Sequence, residues 1–583
     1  MTNTSTNMNP APRYSPGRDY LLGVLLATIT LAITTAPEIG DTLVYVNSIL
    51  DFQTGHWTTQ ISPIGEFGHL LWRPLGALFS PIFTAFVPDA FAWNARLKIG
   101  YGLILLNEAA TIFAAALFFR ISRRISGSTA VATLITIGLI WANGFLLYTK
   151  SGSAYVFGTA IEICAIWVLT NCEANPSRRR LLTGGALLGI AALCWTPFGL
   201  IVPAAAAIPW AINKRPWRAG LGSWLTVAAA SGAVYLVVLI PGAWLSGVRS
   251  PLELHAWIVQ ATHGWAQNRR ALRAVSGLAR LLLDLSNDGL LLKRYLLKDP
   301  YNPVTLYDLI RLSLWKIALF YTFLLALALA ALRSASGRRM LALLALAAAP
   351  MLVFAIFLFE PSSPERFLPM LPFLLLTLAA AWTPRRAGET EPSGWRWAPW
   401  VGGALLAAVV PINAPAFIGP GNFQDKLAMA QLRDFTRTAA PGDLLVSVLI
   451  HEPVTVLIEQ KPFNPVCRGL DVPTSQVFGT VGQSAHWRMD MARRVLAQWA
   501  LNKDVWITKW AMRHSPPSEM GWVEGDDPVV RWREIPAFFE QFDFDRSTVL
   551  PDGFERFARS GKNREILENT AKRDISSTPQ RKN

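Results

Sequence analysis

The sequence predicts a mostly α-helical membrane protein: a polytopic bundle of about eleven transmembrane helices, followed by an extracytoplasmic α/β domain at the C-terminus. Three observations carry that prediction. Apolar residues make up 52% of the chain and charged residues only 16%, against about 25% charged in a soluble domain. Apolar runs approaching the roughly 20 residues that cross a bilayer recur as far as residue 413. Basic clusters at Arg120/Arg123/Arg124, Arg178–Arg180, Lys214/Arg215/Arg218, Arg333/Arg338/Arg339 and Arg385/Arg386 fall in alternate loops, and all lie on one side if the N-terminus is cytoplasmic. The net charge of +15 therefore reads as the positive-inside pattern of membrane loops, not as a nucleic-acid surface. The 23 tryptophans suit a chain with many membrane interfaces.

Along the chain, residues 1–19 are polar and predict a disordered cytoplasmic N-terminus. Spans are expected at about 20–36, 97–119, 129–147, 154–171, 181–195, 197–213, 219–240, 312–332, 340–358, 366–383 and 398–413. The first is long for a signal peptide and small-residue cleavage signals after it are weak, so it reads as an anchor. The fifth and sixth require a very tight turn at Trp195-Thr196-Pro197. This topology makes residues 20–413 one transmembrane domain and leaves three segments outside: a first loop, 37–96, a long loop, 241–311, and everything from 414. The long loop carries His255, His263, Arg269, Arg270 and Lys293-Arg294-Tyr295. Long loops are largely exempt from the charge rule, and these external bases suit phosphate binding. Beyond 414 the texture changes. QDKLAMAQLRDFTRT (424–438) and HWRMDMARRVLAQWALN (486–502) read as helices, LLVSVLI (444–450) and DVWITKW (504–510) as strands. The alternation predicts an α/β domain over 414–560, with 561–583 as a flexible tail. Cys164, Cys172, Cys194 and Cys467 show no spacing for zinc or a redox pair.

The chemistry-bearing residues cluster early. In DTLVYVNSILDF, helical spacing places Asp41, Tyr45, Ser48 and Phe52 on one face, with Leu43, Val46 and Leu50 on another. Asp41 can then serve as a general base toward a hydroxyl acceptor, or simply cap the helix that follows; both readings stand. Glu66, His69 and Arg73 share a helical face at i, i+3, i+7, a set that suits a diphosphate or metal-bound phosphate, or an ordinary paired surface. At the mouth of the tenth span, FEPSSPERFLPMLPFLLL places Glu360, Glu365 and Arg366 at the boundary, where ionisable groups are often functional or snorkel in pairs. Asn107, Glu108 and Glu162 fall inside spans. No phosphate-binding glycine loop, HExxH or GxSxG motif occurs in a suitable context. Nucleotide sugars and ATP are scarce outside the cell membrane, so a transfer reaction there needs a donor anchored in lipid.

This layout resembles the GT-C superfamily of membrane glycosyltransferases, in the branch of protein O-mannosyltransferases and lipid A aminoarabinose transferases (family 39-like). The resemblance rests on Glu38-Ile-Gly-Asp41 just after the first span, on His69-Leu-Leu-Trp-Arg-Pro-Leu, and on Glu365-Arg366-Phe-Leu-Pro-Met-Leu-Pro, and it covers most of 20–413. Two departures stand out: only Asp41 occupies the place where many members carry an Asp-Glu pair, and Tyr148-Thr-Lys150-Ser-Gly-Ser-Ala-Tyr155 has no acid where several members have one. The resemblance implies inverting transfer of a hexosyl or pentosyl group from a polyprenyl-phosphate donor to an envelope acceptor (protein, lipid or polysaccharide) at a bacterial inner membrane. It makes Asp41 the base and assigns the leaving phosphate to Arg366, Arg73 and Lys150. Glu38, Tyr45, Glu66, His69 and Glu365 would line the acceptor cavity, and Mg2+ or Mn2+ is an open possibility. Three competing readings remain: an O-antigen-type polymerase or ligase, a lipid-linked sugar transporter, for which no inverted repeat is visible, and a non-catalytic assembly protein.

Overall fold

The structure, a computed structural model, describes residues 16–35, 42–55, 65–86, 95–171, 177–213, 217–261, 273–358, 361–382, 396–418, 426–448, 474–476, 487–516, 531–545, 550–551 and 553–572. It is mostly helical. The first apolar run forms α1 (Pro16–Ile33). Two shorter helices follow, α2 (Thr42–Thr54) and α3 (Trp72–Phe86), before α4 (Ala95–Ser126). At 32 residues, α4 is about 48 Å long, well beyond the roughly 30 Å hydrocarbon layer. Then come α5 (Thr129–Trp141), α6 (Asn143–Thr149), α7 (Tyr155–Thr170) and α8 (Arg178–Cys194). A 3-10 turn at Thr196–Ile201 leads to α9 (Val202–Ala206), α10 (Ile208–Asn213) and α11 (Trp217–Leu245).

Three short helices occupy the long loop: α12 (Pro251–Ala261), α13 (Arg273–Arg280) and α14 (Ser286–Leu297). The later spans are α15 (Leu306–Leu309), which runs through a π turn into α16 (Trp315–Leu332), and α17 (Ala335–Val353), which ends in a second π turn at Phe354–Leu358. A 3-10 run at Pro364–Met370 opens α18 (Leu371–Ala381), and α19 (Ala398–Ala407) and α20 (Val409–Phe417) close the bundle.

Among the described residues, six runs are long and apolar enough to cross a membrane, or seven if α5 and α6, bent by 61°, make one span. Each of the eleven expected segments is helical. The others are shorter, such as α7 at 16 residues and α8 at 17, or broken, as in the 196–213 run. Pro364–Ala381 is 89% buried and forms the centre of the bundle, whereas an 18-residue apolar stretch within Gly220–Leu245 is only 17% buried and lies at its edge. Helices α1 and α4 approach to backbone contact at Gly23, where a Cβ would lie 2.5 Å from the Ala115 carbonyl oxygen. Such small-residue contacts are a standard way for membrane helices to pack without a hydrophobic driving force.

The C-terminal residues contain α21 (Lys426–Thr438), β1 (Leu444–Ser447), β2 (Thr474–Gln476), α22 (Trp487–Ala500), β3 (Val505–Thr508), α23 (Glu534–Phe539), β4 (Phe554–Arg556) and α24 (Gly561–Lys572). The sheet order is β2-β1-β3-β4. Strand β1 is parallel to both neighbours, with Leu445 opposite Thr474 and Trp506, and β4 runs antiparallel to β3. Parallel strands need a crossover, and α22 lies between β2 and β3 in the chain. Its Val495 and Trp499 share a core with Leu444, Val446, Val505, Ile507 and Phe539.

Two expectations change. Residues 561–572, expected as flexible tail, form α24, because Leu567 is buried and Ile566 and Ala571 pack on the same core. The expected helical face through Glu66, His69 and Arg73 is a 3-10 turn at Phe67–His69 followed by α3. Residues 1–15 and 573–583 lie outside the described residues, as do Cys172 and Cys467, while Cys164 and Cys194 are free thiols.

Candidate functional site

Between the central and peripheral spans lies a cavity of about 610 Å³, lined by residues from α2, the 65–73 segment, α7, α8, the 3-10 turn after it, α11, the second π turn and the 364–370 run. Its volume is within the usual range for a small-molecule site. One part of the wall is charged and aromatic: Tyr45, Glu66, His69, Arg73, Tyr155, Trp195, Glu365 and Arg366. The rest is largely apolar, with Ala192, Leu200, Val202, Ala228, Gly232 and Phe354.

Local hydrogen bonds explain how a chain segment without long helices holds the first cluster. The Leu71 N–H donates to the Leu193 carbonyl at 2.9 Å, at the end of α8. The Trp257 indole donates to Gly65 O at 2.7 Å, and the Thr196 hydroxyl to Phe67 O at 3.2 Å. Trp72, fully buried, donates to Gly152 O at 2.8 Å. His69 is held from both ring nitrogens: Nδ1 lies 2.9 Å from the Cys194 carbonyl and Nε2 lies 3.2 Å from the Tyr45 hydroxyl. A carbonyl oxygen only accepts, so Nδ1 carries a proton and, in the neutral ring, Nε2 accepts from Tyr45. Arg73 pairs with Glu66, and its guanidinium carbon stands 5.4 Å from the Tyr45 ring centre.

The second cluster comes from the 364–370 run. Glu365 accepts a hydrogen bond from the Tyr148 hydroxyl and pairs with Arg366 at 3.4 Å. Arg366 also lies 5.7 Å from the Trp195 ring centre, within cation–π range. An edge-to-face chain of rings joins the clusters: Tyr148 to Tyr155 at 4.7 Å, Tyr155 to Trp195 at 5.0 Å and Tyr155 to His69 at 5.9 Å.

The structure thus brings together Tyr45, Glu66, His69, Arg73, Glu365 and Arg366, which the sequence offered as three separate groups. Asp41, Glu38, His56 and Glu360 lie outside the described residues. The neighbour of Asp41, Thr42, is fully buried, and its hydroxyl oxygen accepts from the Gly152 N–H at 2.7 Å. Lys150 is not brought to the cavity. Its ammonium donates to Glu108 and to the Leu31 carbonyl, each at 2.9 Å, so an acid within a span takes the charge that was expected for a phosphate. On α2 the inward residues are Tyr45, Val46 and Ile49; Val46 thus turns inward with Tyr45 instead of marking a separate face. Sequence reasoning passed over Tyr155, Trp195 and Tyr235 as lining residues. The tight Trp195-Thr196-Pro197 turn was the available signal. Among the described residues no three His, Cys, Asp or Glu side chains gather in a way that could hold a metal ion.

Fold and cavity together define a membrane helical bundle whose buried charged site opens onto an apolar wall. Comparison with solved structures gives the nearer description. The chain is similar to ArnT from Cupriavidus metallidurans bound to undecaprenyl phosphate, with 94% of this chain and 99% of that one aligned at 13% identity and a TM-score of 0.50. The apo state of ArnT aligns over 94% and 98% of the two chains at 12% identity and a TM-score of 0.39, too low to argue from. No family model and no curated protein matches. At 13% identity the likeness to ArnT is one of fold.

Proposed function

We propose that the protein is an integral membrane glycosyltransferase that moves a sugar from a polyprenyl-phosphate donor to an envelope acceptor on the extracytoplasmic face. The observation that carries this reading is that one cavity is lined both by Arg73 and Arg366 and by apolar residues such as Leu200, Val202, Ala228 and Phe354. A lipid-linked phosphate has the same two-part chemistry. The likeness to a structure that holds undecaprenyl phosphate supports the reading.

In the proposed reaction the acceptor hydroxyl attacks the anomeric carbon from the face opposite the phosphate. The bond from that carbon to the phosphate oxygen breaks, the configuration inverts, and the hydroxyl proton passes to Asp41. Negative charge grows on the departing lipid phosphate, and Arg366 and Arg73 lower the barrier because they are fixed where that charge develops. Glu66 and Glu365 hold the two guanidinium groups in place. His69 and Tyr45 orient one another on the same wall, while Glu38 belongs with Asp41 on the acceptor side. Lys150 is left out of the phosphate site. Among the described residues no ligand cluster for magnesium or manganese is present. The protein is placed in the bacterial inner membrane, with residues 414–560 as an extracytoplasmic α/β domain.

The test is sugar transfer by the purified protein in lipid nanodiscs, with a panel of radiolabelled polyprenyl-phosphate sugars and an envelope extract as acceptor. Turnover of one donor that disappears in Asp41→Asn, with an unchanged melt, supports the assignment. Equal turnover in both proteins removes Asp41 as the base, and no release of lipid phosphate from any donor rejects the reaction.

A further inference from the structure

The long loop between α11 and α15 was expected outside the membrane, with basic residues suited to phosphate binding. Part of it is deeply buried. In the stretch that ends α13 and continues to residue 285, Ala279 and Leu281 are fully buried and Leu282, Leu283 and Leu285 nearly so. This stretch touches the turn before Glu365 and the start of the helix that carries Tyr148; Glu365 and Tyr148 are the two partners of one hydrogen bond.

On one side it meets the turn before Glu365. A Cβ placed on Gly277 would lie 1.9 Å from the Pro361 carbonyl oxygen and 3.1 Å from Ser362 Cα. Both are backbone atoms, so no side-chain rotation relieves the clash. Arg280 donates to the Ser362 carbonyl at 3.3 Å. On the other side it grips the start of α6, the helix that carries Tyr148. The Asn143 and Gly144 N–H groups donate to the Leu282 and Leu281 carbonyls at 3.1 and 3.0 Å. The Asn143 side chain donates to Arg280 O at 2.8 Å. Asn413 fastens the far end: its amide donates to Trp141 O and Leu282 O at 2.7 Å each, and its oxygen accepts from the Asp284 N–H at 2.8 Å.

We infer that residues 273–285 are the positioning element of the cavity, with Gly277 and Arg280 setting where the 361–366 turn presents Glu365 and Arg366. The inference rests on the proposed role of Arg366 at a lipid phosphate. Gly277 is required because the helix and the turn meet backbone to backbone; any side chain there pushes the turn away by about 1 Å or more. A displacement of that size at a charge-stabilising group can cost on the order of 100-fold in rate.

The experiment uses the full chain in nanodiscs, with undecaprenyl phosphate as the binding probe and four variants: Gly277→Ala, Arg280→Ala, Arg280→Lys and Arg366→Ala. Gly277→Ala is expected to weaken probe binding at least tenfold, Arg280→Ala several-fold, and Arg280→Lys to recover most of that loss. The deciding measurement is the double variant Gly277→Ala/Arg366→Ala. Positioning through Arg366 requires that Gly277→Ala add little once the guanidinium is gone, whereas a general packing defect adds its full effect. Additive losses overturn the inference. If Arg366→Ala itself leaves binding unchanged, it is the phosphate reading that fails. Hydrogen exchange over residues 361–370 then decides positioning without a ligand: faster exchange in Gly277→Ala and Arg280→Ala is expected, and wild-type protection in both overturns it. Should Gly277→Ala fail to fold, the Arg280 pair carries the same comparisons.

Discussion

Replacing Arg366 with alanine tests the charged end of the cavity most directly. The side chain is 11% exposed and its partner Glu365 8% exposed, with 3.4 Å between them. A lipid phosphate about 4 Å from the guanidinium gains on the order of 4 kcal/mol at an effective dielectric near 20. Desolvation offsets part of this, and hydrogen bonds to charged groups are worth about 1.5–3 kcal/mol net. Removing the guanidinium also leaves the Glu365 carboxylate facing the phosphate, a like-charge contact of about 2–3 kcal/mol at 6–7 Å on the same scale. A net loss of about 3 kcal/mol corresponds to roughly 150-fold weaker binding. Equilibrium binding of undecaprenyl phosphate in nanodiscs measures it, beside donor turnover. Arg366→Lys keeps the charge but not the planar fork and should lose about tenfold. In the Arg366→Ala background, Glu365→Gln should regain about tenfold by removing the stranded carboxylate. A change below threefold in Arg366→Ala would refute the reasoning, since no phosphate could then be using that group.

Two further predictions concern residues away from the phosphate. Lys150→Met should leave the donor KM within twofold, because Lys150 serves Glu108 and Leu31 O, but it should lower stability by about 2–3 kcal/mol by stranding a partly buried acid; a thermal melt in nanodiscs and a donor titration separate the two effects. Asn413→Leu removes three hydrogen bonds of a buried side chain, at about 1 kcal/mol each, and should destabilise the protein by about 3 kcal/mol; a melt equal to wild type would mean that the 281–285 turn does not depend on this side chain.

The apolar helices were legible because hydropathy is a property of composition along the chain: each of the eleven expected runs is helical, although among the described residues only six, or seven with the bent pair, are long and apolar enough to cross a membrane. Interruptions were less legible. The 61° bend between α5 and α6 sits in a run that hydropathy reads as one span, interrupted only by Asn143-Gly144, and there the Asn143 and Gly144 N–H groups go to the Leu282 and Leu281 carbonyls. That partner lies more than 130 residues away, beyond the reach of local pattern. The same reason separates the two outcomes for cations. Arg366 sits beside Glu365 in sequence, so their association could be read directly. The pairing of Lys150 with Glu108 depends on how α4 packs, and only the fold reveals it. Aromatic residues such as Tyr155 and Trp195 look like ordinary bundle core until the neighbouring helices leave a cavity at their edges.

The pairing of both cavity arginines has one more consequence. Glu66 with Arg73 and Glu365 with Arg366 form two ion pairs, each of which offsets its own charge. Among the described residues the cavity is therefore not an anion trap. Under the proposed function, small soluble phosphates, which offer charge and nothing else, gain little by leaving water for it, while a polyprenyl-phosphate donor is already concentrated in the bilayer by its own tail. Discrimination between cargo and bystander anions would then reside in the tail, and the enzyme could stay unoccupied in a phosphate-rich medium until a donor arrived through the bilayer.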